Sequence, residues 1–306
     1  MINSNLPNNS IAISSVRPKS MFWLNLGKNW YRFSRNTLSV VGLVIVSGII
    51  ISAIFAPWIT PYPEHAGPFV DFGNRGQSPS LQHLCGTDIV GRDILSRIIF
   101  AFRGALIMAV VVLVLAVPFG VLLGLIAGYF HQDSWISIVI MRFTDVFLGL
   151  PPLILALVIA AVLKPTLMNA MIAVTISWWS WYTRLVYGMA SSVSNEYFVT
   201  AAKLKGASKF HILFREILPN CLSPVFTKMA LDVGWVILIG ASLSFVGLGE
   251  QPPTPALGQM VSDGARYMPT FWWMTIFPAL AIVLAIMGFN LMGDGLRDML
   301  ETGGME

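Results

Sequence analysis

Six stretches of the chain are almost wholly apolar, and shorter polar intervals separate them. The first runs over about 38–58 (LSVVGLVIVSGIIISAIFAPW), the second over about 105–130 (ALIMAVVVLVLAVPFGVLLGLIAGYF) and the third over about 136–163, containing VFLGLPPLILALVIAAVL. The fourth (about 169–189), fifth (about 222–248) and sixth (about 272–293) are interrupted by polar residues. Roughly 20 mostly apolar residues carry a helix through bilayer hydrocarbon. The pattern therefore predicts an all-α membrane protein with six transmembrane helices over 38–300, preceded by a polar 1–37 segment and followed by a 301–306 tail. A cleavable signal peptide is not expected, because the first run lies behind 37 residues and is too long for a signal's apolar region.

Composition agrees with this reading. Of 306 residues, 56% are hydrophobic and 11% charged, against about 25% charged in soluble domains. The net charge of +4 comes from basic residues in short segments between apolar runs, which argues for membrane orientation rather than nucleic-acid binding. Residues 1–37 hold Arg17, Lys19, Lys28, Arg32 and Arg35 and no acid, which predicts a cytoplasmic N-terminus. Six spans return the C-terminus to the same side. The 190–221 interval then lies inside, with Lys203, Lys205, Lys209 and Arg215, whereas 59–104 and 249–271 lie outside. The 59–104 segment mixes four arginines with Glu64, Asp71, Asp88 and Asp93, so the N-terminal segment carries most of the orientation signal.

The polar interval EYFVTAAKLKGASKFHILFREILPN (196–220) has its own local code. YFVTAAKLKGA suits a helix. Gly206 suits its left-handed end and Ser208 suits the N-cap of a second helix. Phe210, Leu213, Phe214 and Ile217 then predict one apolar face, and Pro219 ends that helix or opens the next span. Two readings of the interval stay open: an interfacial helix lying on the membrane, or a knob whose small residues admit a soluble partner.

Catalytic chemistry finds little support. No GxxxxGK[ST] phosphate loop occurs. His65, His83, His131 and His211 are scattered singly, and Cys85 and Cys221 lie 136 positions apart without a CxxC or CxxH pattern, so neither a metal site nor a disulfide framework is indicated. Ionisable residues within spans carry more information, because they are costly there. Arg142 and Asp145, three apart, could form a structural pair or face a pathway; Lys228 and Asp232, four apart, pose the same choice. Asp232 lies deepest and is the better candidate to line a cavity and meet a polar or cationic group. Pro151-Pro152 must break the helical ladder within the third span. TDIVGRDILSRIIFAFRGAL is expected to be helical, capped by Thr87 or Asp88, with Ile94, Ile98 and Phe102 on one face. Trp272 and Trp273 suit an interfacial belt.

The pattern Ala201-Ala202, Gly206 and Ile217-Leu218-Pro219 resembles the EAA loop of permease subunits of binding-protein-dependent ABC importers, with Thr200 at the position of the loop's glutamate. GTDIVGRDILSR (Gly86–Arg97), LSFVGLGEQPPTP (Leu243–Pro255) and GFNLMGDGLRDML (Gly288–Leu300) resemble the C-type permease of the dipeptide, oligopeptide and nickel importers. Two departures are Ala256-Leu257-Gly258, where that family continues Glu-Trp-Gly, and Glu301-Thr302-Gly303, where it has Asp-Pro.

The resemblance implies a type I importer permease in a bacterial inner membrane. Its partners would be a B-type permease paralogue, two ATPase subunits that hold ATP and Mg, and a periplasmic or surface binding protein. It implies no cofactor in this chain. Ala201, Ala202, Gly206, Ala207, Ser208, Lys209 and Phe210 would meet an ATPase subunit, with Lys203, Lys205 and Lys209 able to pair with acidic groups at its rim. The segments 59–104 and 249–271 would form the outer surface near the binding protein. A di- or oligopeptide is the expected cargo, with nickel or another small solute as alternatives. An ion-gradient-driven secondary transporter is the rival of a different class; it predicts inverted repeats, which the chain does not display. A receptor or assembly factor without transport is the third, and it has no need of ionisable residues within spans.

Overall fold

The computed structural model describes residues 30–31, 33–130 and 134–301. The basic residues Arg17, Lys19, Lys28 and Arg32, His131 and the 302–306 part of the tail lie outside the described residues. The described chain is helical, and β pairing is confined to one bridge between Thr87 and Asp93.

Helix α1 (Thr37–Ile54) starts at Asn36, whose side chain accepts from the Leu38 N–H, and a short turn of helix, α2 (Ala56–Ile59), follows. A segment of 34 residues (60–93) leads to α3 (Ile94–Tyr129), 36 residues long and about 54 Å by helical rise. The expected helix before the second span and the span itself are thus one helix. Its cap is neither Thr87 nor Asp88 but Asp93, which accepts from Ser96 N–H, because Thr87 and Asp88 are used in the bridge and turn that precede it. Ile94, Ile98 and Phe102 are buried as expected.

The third apolar stretch is not one straight span. It folds as α4 (Trp135–Leu148) and α5 (Pro152–Val162), set at 85° to one another. Pro151 and Pro152 supply the break, since neither offers an N–H to the ladder. Helix α6 (Leu167–Val193) is 27 residues long and capped by Thr166. It falls below the apolarity of a typical span, because it spends positions on Ser177, Ser180 and Thr183, all buried. After α7 (Tyr197–Leu204), α8 (Lys209–His211) runs through a π-helical turn (Ile212–Ile217) into α9 (Leu218–Phe245). Pro219 therefore does not end the helix; it lies inside the continuous 37-residue helix Lys209–Phe245, directly after the π-helical turn. Helices α10 (Leu257–Ala265) and α11 (Trp273–Glu301) complete the chain.

Among the described residues four helices are long and apolar enough to cross a membrane, or five if the bent α4–α5 pair counts as one. The most extensive packing joins α3 to α6; α9 packs on α11, and α11 on α1. The α3–α6 seam rests on Gly120, Gly124 and Gly128, one per turn. A Cβ on Gly124 would lie 2.8 Å from the Val186 Cβ, and one on Gly128 would lie 2.7 Å from the Ala190 Cβ. Small residues at four-residue spacing let membrane helices approach closely, where dispersion replaces the hydrophobic effect as the main attraction.

Candidate functional site

Helix α7 ends as its sequence dictates. Gly206 adopts φ +79, its N–H donates to Lys203 O at 3.0 Å, and the Ala207 N–H donates to Ala202 O at 3.1 Å. These two bonds define a Schellman turn, which only glycine closes without strain. Two residues on, the Ser208 hydroxyl oxygen accepts from the His211 N–H and caps α8. The helix, sharp turn and second helix expected from the sequence are present.

The apolar face differs from the one expected. Ile212 and Ile217, five apart, are buried, whereas Phe210 is 71% exposed and stacks on Phe214 at 4.4 Å. A π-helical turn closes hydrogen bonds at five residues rather than four, and this shifts the inward face. On α7, Val199 is buried, and Ala202 and Ala207 pack partly against the core. Ala201, Gly206, Ser208 and Lys209 are exposed. Tyr197 (92% exposed) and Leu204 (85%) stand out with them. These two escaped the sequence reading, although Tyr197, Ala201 and Leu204 follow the i, i+4, i+7 spacing of one helical face. The lysines have aromatic partners: Lys203 Nζ lies 5.4 Å from the centroid of the Tyr129 ring, and Lys209 Nζ lies 5.5 Å from that of Phe130. The turn is thereby tied to the C-terminal end of α3.

The N-terminal end of α3, a helix length away, carries a second polar cluster. Asp93, 1% exposed, accepts from Ser96 N–H and Oγ–H, and His83 Nδ1 donates to it at 2.9 Å. The Asp93 N–H donates to His65 Nδ1 at 2.8 Å. Tyr62 stacks against both imidazoles. His65 and His83 are thus not isolated loop residues but buried partners of Asp93, His83 at its carboxylate and His65 at its backbone N–H. Burial holds the His65 imidazole below its ordinary pKa. The segment 59–104 meets 249–271 here, as Arg97 donates to Pro253 O at 3.3 Å. Trp273 is 6% exposed and donates to Thr87 O, so it anchors this cap; Trp272 is 44% exposed.

Among the intramembrane ionisable residues, Asp145 pairs with Arg184 of α6 at 3.2 Å, not with Arg142. The α5 break points α4 across α6, so a cross-helix partner is nearer than the one a turn away. The Lys228–Asp232 pair of α9 forms as expected, Nζ to Oδ1 at 3.0 Å. The Asp232 Oδ2 accepts two more bonds, from Trp178 Nε1 at 2.9 Å and Tyr182 Oη at 2.8 Å. Asp232 is consequently satisfied on both oxygens and 4% exposed. Lys228 and Asp232 both border a cleft of about 330 Å³ lined also by Pro152, Trp178, Trp181 and Trp235, with Lys228 the more exposed of the two.

The family comparison accounts for most of the chain. Residues 120–303 match the model of the binding-protein-dependent transport system inner membrane component. The chain belongs to this family of inner-membrane transport components. Residues 26–79 also match the N-terminal transmembrane domain of oligopeptide transport permease C. The permease is 41% identical over 272 residues to a dipeptide transport system permease protein of Alkalihalophilus pseudofirmus, covering 88% of this chain and 87% of the relative. It is 43% identical over 279 residues to the dipeptide transport system permease protein of Escherichia coli K12 (89% and 91% covered). A glutathione transport system permease protein of Escherichia coli O6:K15:H31 is 40% identical (89% and 88% covered).

Proposed function

We propose that this permease is the C-type subunit of an ATP-driven importer of di- or oligopeptides. It forms the pathway with a paralogous permease, takes its driving force from two cytoplasmic ATPase subunits and receives cargo from a binding protein. In this reading the chain is non-catalytic and crosses the membrane six times, α4–α5 and α6 each counting as a span, with both termini in the cytoplasm. The relatives named for dipeptide transport support the cargo class. Glutathione is itself a tripeptide, so the third relative falls within the same class.

The observation that carries the coupling role is the exposed apolar set Tyr197, Leu204 and Phe210 around the Gly206 turn. Three large apolar side chains at one polar segment mark a surface that a protein covers. The turn continues without a loop through the π-helical turn into α9, so Lys209 and Lys228 share one 37-residue helix, about 28 Å apart along its axis. A push on the turn becomes a movement of the cleft wall by rigid-body displacement. Co-purification tests the assignment: ATP-hydrolysing subunits accompany the wild-type permease. Recovery of a fully assembled importer without them would remove it.

A further inference from the structure

We propose that the Lys228 ammonium is a binding subsite for the carboxylate end of the transported solute. This rests on the importer reading above. The sequence pointed to Asp232 as the residue lining a cavity, and it does line the cleft, but Lys228 beside it is the partner with donors to spare. Asp232 has three donors on its two oxygens and its side chain is 5% exposed, whereas the Lys228 side chain is 27% exposed and opens on the cleft.

An ammonium has three N–H donors. One goes to Asp232 Oδ1 at 3.0 Å, and among the described residues Nζ makes no other hydrogen bond. The Trp181 and Tyr182 ring centroids lie 5.8 and 5.4 Å from Nζ, which steadies the cation without consuming its donors. Two donors of the ammonium are left facing a cleft walled by Trp178, Trp181 and Trp235. Trp178 and Tyr182 occupy the Asp232 Oδ2 and its side chain is 5% exposed against 27% for Lys228, so the more exposed end of the pair is positive. The complement is a compact anion small enough for about 330 Å³, with apolar groups to lie on indole faces. The C-terminal carboxylate of a short peptide has this chemistry. A lipid phosphate has the same charge, and the assay separates the two.

The test uses the assembled permease–ATPase complex in nanodiscs, without binding protein, so that selection upstream does not intervene. Saturation-transfer NMR compares binding of alanyl-alanine with that of alanyl-alanine amide. In the wild type the amide binds about tenfold more weakly, the change expected for one charge-assisted hydrogen bond. Lys228→Gln, and the charge-balanced Lys228→Gln/Asp232→Asn pair in case the single variant folds poorly, bring the ratio to about one; Lys228→Arg preserves it. An unchanged ratio in an assembled, ATP-hydrolysing Lys228→Gln complex overturns the proposal. So does a ratio of one in the wild type, or binding that disappears only when anionic lipid is added and no longer tracks the peptide carboxylate. Uptake of alanyl-alanine by the complete wild-type importer in liposomes is run beside it. Failure there sinks the peptide-import reading, whereas uptake with an unchanged ratio sinks the subsite alone.

Discussion

Substitution of Gly206 separates backbone geometry from surface chemistry. Its φ of +79 lies in the left-handed region, and a Cβ built there meets nothing within 4 Å. No steric clash with neighbours contributes, so the penalty is that of the dihedral alone: about 1–2 kcal/mol for alanine, more for β-branched valine, and less for asparagine, which tolerates this region. The two Schellman bonds to Lys203 O and Ala202 O weaken together, and the turn holding Leu204 and Phe210 in register is populated about 5–30-fold less. Affinity of the purified ATPase subunits for the permease pair in nanodiscs reads this directly. The expected order is Gly, Asn, Ala, Val, with Ala down by about 5–30-fold and membrane insertion unchanged, since the turn lies outside the bundle. Equal affinity for glycine and valine, or a loss with asparagine as large as with valine, refutes the reasoning.

Three further outcomes follow from the packing and the polar clusters. Gly124→Val places atoms 2.7–2.8 Å from Thr183 O and Val186 Cβ; overpacking of about 1–3 kcal/mol lowers the thermal midpoint in detergent, whereas Gly48→Ala, with nothing within 4 Å, leaves it unchanged or raised. Tyr182→Phe removes a donor from buried Asp232 and costs about 1–3 kcal/mol in the same assay. The depressed pKa of His65 means that the unfolded segment takes up a proton first as pH falls through the ordinary value of 6.5. Stability of the loop cap is then full above that value and declines below it, down to the lower folded pKa. Glu64, Asp93 and Asp88 oppose the depression and His83 adds to it, all weaker than burial. Protection factors of amides over 60–100, corrected for the intrinsic pH dependence of exchange, fall between pH 7 and 5, and His65→Asn, whose side-chain oxygen can accept the Asp93 N–H, flattens the profile.

Local codes transmitted well. Gly206 and Ser208 announced a left-handed end and a cap because each needs only its own backbone geometry, and Lys228 with Asp232 announced a pair because a four-residue step in a helix puts both on one face. Partners set by long-range packing were not legible. Arg142 was the nearest cation to Asp145 in sequence, but the 85° break after Leu148 brings Arg184 to it instead. The same blindness hid the convergence of His65 and His83 on Asp93, separated by 28 and 10 residues. The π-helical turn kept Ile217 inward as expected but brought Ile212 in where Phe210 was expected, a shift that no 3.6-residue period anticipates. The anchoring of Trp273 on the Thr87 carbonyl was likewise hidden, because the two lie 186 positions apart.

The coupling surface is open to one direct measurement. A photo-crosslinking phenylalanine analogue at Leu204, which is 85% exposed beside the Gly206 turn, is introduced into the complete importer in its native membrane. The account predicts an adduct with an ATPase subunit whose yield changes with bound nucleotide, and no such adduct from the same analogue at Leu81, 97% exposed on the loop at the other end of α3. An adduct from Leu204 with lipid or binding protein alone, unaffected by nucleotide, would contradict it.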